Sequence, residues 1–292
     1  MKRTPRTPTE RETLLRAVVN VSNAEARYLV ASYYACQTMR KRLDGQLRHE
    51  VGEKVATEVG VQPVPIILNF TTERFGDLEN TMAAGLSVYA KSSVVGQWCM
   101  SHVGVGPVIT AGLLAHLDIT RAPTAGHFWS FAGLNPEMVW NKGEKRPFNP
   151  DMKQLAYHLG ECIKRTHNHD QSFYGRIYRE RKALLIERDA RGYNTERAKS
   201  YQTHSAEVRR TLKKGQLPAG NLDRQACNYT AKMFLSHLHA VMFWDHYRKL
   251  PPKPFVIEHR GHVHFIRPPH LDEFFPEMAA AYDRLEPLIA AE

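Results

Sequence analysis

The sequence predicts a mainly α-helical protein of many helices with few or no strands. Apolar side chains recur every three to four residues through most of the chain, which is the spacing that gives a helix one buried face. Strict alternation of apolar and polar residues, the pattern of a half-buried strand, is scarce. With 292 residues, 42% of them hydrophobic, the chain can bury a sizeable core.

The helical patterns are separated by clusters of proline and glycine. Helices are expected over residues 10–19, 23–51, 72–89, 125–132, 152–165, 173–188, 198–212, 222–250 and 271–290, with Ser22 or Asn23 capping the second of them. Prolines interrupt Val61–Leu68, so a linker or a short edge strand is expected there. A short strand or hairpin is expected around Gly261.

Three regions are expected along the chain. Residues 1–71 are an N-terminal helical region with a basic arm and the proline-rich linker. Residues 72–250 form the main helical domain, and residues 251–292 are a connector rich in proline and histidine followed by a terminal helix.

The segment Trp98–Leu117 is predicted to form two short helices joined by a glycine turn. The turn is Val103-Gly104-Val105-Gly106, and Pro107 opens the second helix, where its fixed φ is favourable. A helix that starts at such a turn presents free N–H groups and a positive dipole end, which suit a phosphate. This helix-hairpin-helix pattern is typical of contacts to the nucleic-acid backbone. The candidate contacts are Gly104, Val105, Gly106, Val108 and Ile109; the alternative is a glycine turn without a ligand.

A second candidate lies in the turn VWNKGEKRPFNP, residues 139–150. It carries the cations Lys142, Lys145 and Arg146 beside Trp140 and Phe148. Basic residues interleaved with aromatic ones can hold phosphate and stack on bases. A turn packed by its own aromatic side chains explains the pattern equally well.

The charge of the chain favours a polyanionic partner. The net charge is +10 and the isoelectric point is near 9.5, and nucleic acid is the commonest polyanion inside cells. Four widely spaced cysteines argue against a disulfide framework or a zinc ribbon. No apolar run is long enough for a membrane span and the charged start lacks the apolar core of a signal peptide, so no membrane contact is expected. We expect an intracellular, cytoplasmic protein, associated with the nucleoid in a prokaryote.

No catalytic or metal-binding constellation emerges from the residues. His259, His262 and His264 lie close in sequence, but no established metal-ligand spacing occurs, so we expect no metal and no cofactor. The acidic residues among the arginines are expected to form surface ion pairs. They are Glu161, Asp170, Glu180, Glu187 and Asp189. No serine is marked as a nucleophile, although Ser101 immediately precedes the glycine turn.

Four features follow one another in an order known from one family. HVGVGPVITAGLLAHLDI is followed by FWSFAGLNP, then by the basic turn NKGEKRPFN, then by MKQLAYHLGECIK. This order resembles the C-terminal part of insertion-sequence transposases that combine a DEDD RuvC-like domain with a serine-bearing transposase domain. The later stretch RQACNYTAKMFLSHLHAVMFWDHYR resembles the family's next basic helix more loosely. The resemblance spans residues 92–248 and implies DNA as the main partner. Structured RNA is a further candidate partner, because transposition in the family relies on an RNA that bridges two DNAs.

The sequence departs from that family in two respects. No strand bearing an aspartate precedes Ser92, so the RuvC-like half is not found. No serine occurs between Ser130 and Ser172, where the family's catalytic serine would lie, and the nearest nucleophile-type side chain is Cys162. We therefore assign no catalytic residue and expect a relative that kept nucleic-acid binding and lost strand transfer.

Two other functions stay open. One is an active recombinase whose nucleophile is unplaced or that works with a separate nuclease. The other is a structural or assembly protein whose charge is incidental. Homo-oligomerisation is also left open.

Overall fold

The computed structural model describes residues 12–13, 21–54, 63–203, 205–252 and 266–289. These residues are mainly helical, and no strand occurs among them, which confirms the predicted fold class. The helices are α1 (Asn23–Lys54), α2 (Pro63–Lys91), α3 (Val94–Met100), α4 (Pro107–His116), α5 (Ala125–Phe131), α6 (Pro150–Arg165), α7 (Phe173–Ala190), α8 (Thr195–Ser200), α9 (Ala206–Lys213), α10 (Ala219–Tyr247), α11 (Leu271–Phe274) and α12 (Pro276–Ile289). A 3-10 turn, Ile119–Arg121, lies between α4 and α5.

Some sequence-based expectations lie outside the described residues. They are the basic arm, most of the helix at 10–19, of which Glu12 and Thr13 are helical, the strand or hairpin around Gly261, and the histidines 259, 262 and 264. Within the described ranges, no helix is long and apolar enough to cross a membrane.

Two long helices, α1 and α2, form an antiparallel pair. Ser22 caps α1: its hydroxyl accepts the Glu25 N–H at 3.3 Å and the Glu25 carboxylate accepts the Ser22 N–H at 2.8 Å, so the expected cap is confirmed. Further along, Arg40 donates to both carboxylate oxygens of Glu79, at 2.6 and 3.1 Å. This bidentate pair joins the two helices midway along their length.

The prediction of a linker or a short edge strand at Val61–Leu68 is wrong for residues 63–68. These residues form the first turns of α2, which begins at Pro63 and continues through positions 71 and 72. Proline is accepted in the first turn of a helix because the N–H that it lacks would have no partner there. The division into three regions stays a prediction.

Two further helices are interrupted where the sequence pattern predicted continuity. The helix expected at 198–212 is split into α8 and α9, because Ser205 begins a new helix and its hydroxyl accepts the Val208 N–H at 3.4 Å. The helix expected at 271–290 is split at Phe275, because Pro276 has no N–H to continue the ladder of α11.

The core is centred on α10, which packs against α3, α5, α6 and α7. The largest fully buried side chains around it include Trp98, Phe128, Met152, Leu159 and Phe234. Helices α1 and α2 reach the same core by packing on α4. A smaller cluster around Tyr178 and Leu217 lies where α7, α10 and the segment before α10 meet.

The segment that leads into α11 is bound to the core by three polar contacts. The Trp98 indole N–H donates to the Pro269 carbonyl oxygen at 2.7 Å, and His270 Nδ1 lies 2.7 Å from the Ser101 hydroxyl. His237 Nε2 lies 2.8 Å from the Ile266 carbonyl oxygen, and its Nδ1 lies 2.8 Å from the Tyr174 hydroxyl. The carbonyl is an acceptor only, so Nε2 of His237 carries a proton.

His102 is buried beside Trp98 and His270, which make two of these contacts, and its two ring nitrogens have no hydrogen-bond partner. Its ring lies 4.6 Å from the Trp98 ring and 4.7 Å from the His270 ring. Burial, with the neighbouring His270 and His237, lowers the pKa of His102 to about 3. Burial lowers the pKa of His237 to about 4, although its bond to the Ile266 carbonyl opposes the shift.

We expect the protein to lose stability as the pH falls from about 6.5 to about 4. Histidines of the unfolded chain take up protons below a pKa of about 6.5, whereas folded His102 and His237 do so only near pH 3 and 4. The unfolded state therefore binds more protons, and the free energy of unfolding falls by about 2 kcal/mol per histidine between about pH 7 and about pH 5. Urea unfolding at the two pH values measures this loss.

His102→Phe is the matched variant, because it keeps an aromatic ring among aromatic neighbours and removes one titrating group. The pH-dependent loss should shrink by about 2 kcal/mol, the share of one histidine. An unchanged loss would show that His102 does not titrate in this way.

Candidate nucleic-acid interface

The glycine turn joins α3 to α4 as expected, with Pro107 as the first residue of α4. A bond from the Val105 N–H to the His102 carbonyl oxygen, 3.0 Å long, closes the turn. Val105 is therefore not available as a main-chain donor to a ligand, contrary to its place among the candidate contacts.

The two glycines of the turn have different roles. Gly104 has φ +91°, and a Cβ there would lie 2.5 Å from Thr166 Oγ1 and 3.1 Å from the Cys162 carbonyl oxygen. Glycine is required at this position because the turn packs on the last turn of α6. Gly106 has φ −90° and ψ 173°, which any residue adopts, and a Cβ there would meet no atom within 4 Å. The space beside Gly106 is therefore open to a ligand.

The first turn of α4 has two main-chain donors without an intrahelical partner, the N–H groups of Val108 and Ile109. Their side chains are buried in the core. The N-cap residue Gly106 has no side chain to bond them, and the next N–H, of Thr110, already donates to the Gly106 carbonyl oxygen at 3.0 Å. Of the candidate contacts, these two N–H groups are the ones that an anion beside Gly106 can accept from.

The basic turn of residues 139–150 is a tight loop held by Glu144. The Glu144 carboxylate accepts the Asn141 N–H at 3.0 Å, and its carbonyl oxygen accepts the Trp140 indole N–H at 2.9 Å. The bond from the Asn141 main chain lowers the pKa of Glu144. The guanidinium carbon of Arg146 lies 5.6 Å from the Trp140 ring centroid. The alternative of a turn packed by its own aromatic residues therefore describes part of this loop.

The three cations of this turn, Lys142, Lys145 and Arg146, are exposed. In the part of the chain that the structure describes, no carboxylate forms an ion pair with any of them. They are available to an external anion.

Helix α6 places the two candidate regions far apart. The glycine turn packs on its C-terminal end, at Cys162 and Thr166. The basic turn leads directly into its N-terminal end, where Asn149 caps the helix through a 2.9 Å bond from the Met152 N–H. Since α6 has 16 residues, its ends are separated by about 24 Å at 1.5 Å per residue. The structure does not bring the two regions into one compact site.

Cations also lie near the glycine turn, and the sequence pattern did not single them out. Arg165 is exposed in the last turn of α6, and Arg179 of α7 donates to the His167 carbonyl oxygen just beyond it. In the sequence, Arg179 is one of several arginines on α7. Their spacing along the helix does not show that Arg179 lies near the glycine turn.

The acidic residues do not converge on one point. Glu161 pairs with Arg224 at 2.7 Å and Glu187 with Arg191 at 2.5 Å, as expected for ion pairs. Asp189 is an exception to the expected surface pairing: it is buried and accepts from Asn194 at 2.8 Å and from the Leu217 N–H at 3.1 Å. Among the described residues, no group of His, Cys, Asp and Glu is arranged to hold a metal ion.

Asp223 of α10 is a buried carboxylate that the sequence pattern did not predict. It accepts from Lys182 at 2.7 Å and from Lys164 and Tyr178. Burial opposes its ionisation, yet these three donors hold the pKa of Asp223 well below its usual value. The cluster joins α6, α7 and α10, and its one negative charge offsets one of the two lysine charges.

Gly104→Ala should destabilise the protein by about 2 kcal/mol or more, because alanine is strained at this φ and its Cβ would clash with α6. Gly106→Ala is the control and should cost no more than about 1 kcal/mol, the preference for glycine over alanine at an N-cap. Chemical denaturation of the two variants measures the difference. Equal losses would contradict the assigned roles.

Residues 97–140 match the family model described as Transposase IS116/IS110/IS902 family. The match contains the glycine turn, α4 and α5 and ends just before Lys142. Comparisons with curated proteins and with solved structures give no match. This segment of the chain is thus similar to a segment of insertion-sequence transposases, which agrees with the resemblance found in the sequence.

Proposed function

We propose that this protein binds the phosphate backbone of DNA through the glycine turn, as a relative of insertion-sequence transposases that performs no strand transfer itself. The observation that carries the proposal is the first turn of α4. There the Val108 and Ile109 N–H groups lack partners and the adjacent Gly106 leaves open space, within the segment that matches the transposase family.

The basic turn supplies a second contact to the same partner. Its three free cations lie at the other end of α6, about 24 Å from the glycine turn. At about 3.4 Å per nucleotide along one strand, a backbone that touches both regions spans about seven phosphates. The net charge of +10 favours such an extended polyanion.

Gly106→Asp provides the test. Aspartate is a good N-cap residue, so its carboxylate should accept the free N–H groups of α4 and leave the fold as stable as before or more so. The same carboxylate occupies the donors that a phosphate would use and repels it. Binding of a fluorescent DNA duplex should weaken by about tenfold or more, which is the effect of losing one or two hydrogen bonds to a charged group.

Gly220→Asp is the matched control, since Gly220 is an exposed glycine in the first turn of α10 whose Cβ would also meet no atom within 4 Å. It adds the same charge at a different helix and should leave the affinity unchanged. Affinity that does not depend on salt between about 50 and about 200 mM would sink the proposal, because phosphate contacts release counterions. A structured RNA in the same assay decides between the two nucleic acids.

A second function, that of an active recombinase, is favoured by one observation. Ser101 lies immediately before the glycine turn, and its hydroxyl oxygen is 2.7 Å from His270 Nδ1, a distance at which a histidine can take the proton of a nucleophile. The same hydroxyl lies 2.8 Å from the Trp98 carbonyl oxygen, as is common at a helix end.

We expect no covalent protein–DNA adduct when the protein is incubated with DNA and denatured. Denaturing electrophoresis of labelled DNA measures this. An adduct that forms with the wild type and is lost in Ser101→Ala would establish the recombinase in place of the binding protein.

A further inference from the structure

Two cations, Arg181 of α7 and Lys232 of α10, lie beside aromatic rings where α10 contacts α7 and α5. The guanidinium carbon of Arg181, on α7, lies 4.5 Å from the ring centroid of Tyr229, on α10. One turn along α10, the Lys232 ammonium lies 5.4 Å from the ring centroid of Trp129, on α5. The Trp129 indole N–H donates to the Lys232 carbonyl oxygen at 3.1 Å, which fixes α5 against α10 at this point.

These two cations lack the partners that their neighbours have. Asp223 accepts from both Lys164 and Lys182, and Glu161 pairs with Arg224. Across the described ranges, no carboxylate pairs with Arg181 or Lys232, although both side chains are half-buried. The Arg181 Nε is fully buried and has no hydrogen-bond acceptor.

Arg181 and Lys232 also repel each other. Burial and the positive charge of Arg181 lower the pKa of Lys232. A buried N–H donor without an acceptor and two like charges side by side both cost free energy in the free protein. An anion bound by both side chains removes the repulsion between them, and phosphate has the charge and the several acceptor oxygens that a guanidinium and an ammonium require.

We propose that Arg181 and Lys232, flanked by Tyr229 and Trp129, form a phosphate-binding site and that its ligand is a phosphodiester of a nucleic-acid strand. Only the source of the phosphate rests on the proposed function; the site itself stands on the unpaired cations. The site uses none of the residues of the glycine turn or the basic turn.

The test uses the full chain with Arg181→Gln and Lys232→Gln combined. Inorganic phosphate and a single-stranded oligonucleotide are the two probes. The matched control combines Arg188→Gln, an exposed cation of α7 over the Tyr193 ring at 5.9 Å, with Lys249→Gln, over the Phe243 ring at 6.0 Å. It removes the same charge from residues outside the site.

With Gly106→Asp present in all three proteins, so that the glycine turn binds no phosphate, phosphate at constant ionic strength should raise the melting temperature of the parent and the control but not that of the Arg181/Lys232 variant. Without phosphate, the variant should melt at the same temperature as the parent or higher, because an unpaired donor and a like-charge pair are removed. For the oligonucleotide, the variant should bind about tenfold more weakly, and the salt dependence of log K should be less steep by about two.

Phosphate stabilisation that persists in the Arg181/Lys232 variant would overturn the site. Stabilisation that is lost, together with oligonucleotide affinity that is unchanged, would overturn the nucleic-acid strand as the ligand. Gly106→Asp should keep the phosphate response, so a failure of DNA binding at the glycine turn is distinguishable from a failure of this site.

Discussion

The close contact between Gly104 and the last turn of α6 is the constraint on which the candidate interface depends. No side chain fits between the turn and the Cys162 carbonyl, so the glycine turn lies directly on the helix end. Further along, a Cβ at Gly112 would lie 2.8 Å from the Leu155 side chain, so α4 runs antiparallel to α6 at short distance. The start of α4 is thereby fixed at one end of α6. Because the basic turn precedes the other end, the separation of the two candidate regions follows from the same packing.

Local signals in the sequence predicted much of this arrangement. The helical spacing, the Ser22 cap, Pro107 at the start of α4 and the glycine turn are properties of a few consecutive residues, and the structure confirms them. The sequence pattern could not distinguish the roles of the two glycines. Gly104 is required by its contact with α6, whereas a Cβ at Gly106 would have no neighbour. The two prolines at the start of α2 led to the prediction of a linker. Whether a proline begins a helix or breaks one depends on the residues that precede it.

The charges were the least predictable part, because their partners are distant in sequence. Asp223 accepts from lysines 59 and 41 residues away, and Asp189 accepts from a main-chain N–H 28 residues away. Only pairs three or four residues apart on one helix can be read from the chain, such as Glu187 with Arg191. The acids predicted as surface partners therefore included one buried residue that anchors a loop, and the acid that accepts from two lysines was missed.

Knowing which cations pair with carboxylates tells more about the binding partner than the net charge of the chain does. Where α6, α7 and α10 meet, the two carboxylates Asp223 and Glu161 pair with three cations, so two of these three positive charges are offset within the protein. Cations without such partners include the three of the basic turn, Arg181 of α7 and Lys232 of α10, and the start of α4 adds two free N–H groups. A small anion can satisfy one of these places at a time. One anion can occupy the glycine turn and the basic turn together only if it spans the length of α6, about 24 Å, or about seven nucleotides of a duplex strand, and this length requirement excludes small anions as the common ligand of both regions.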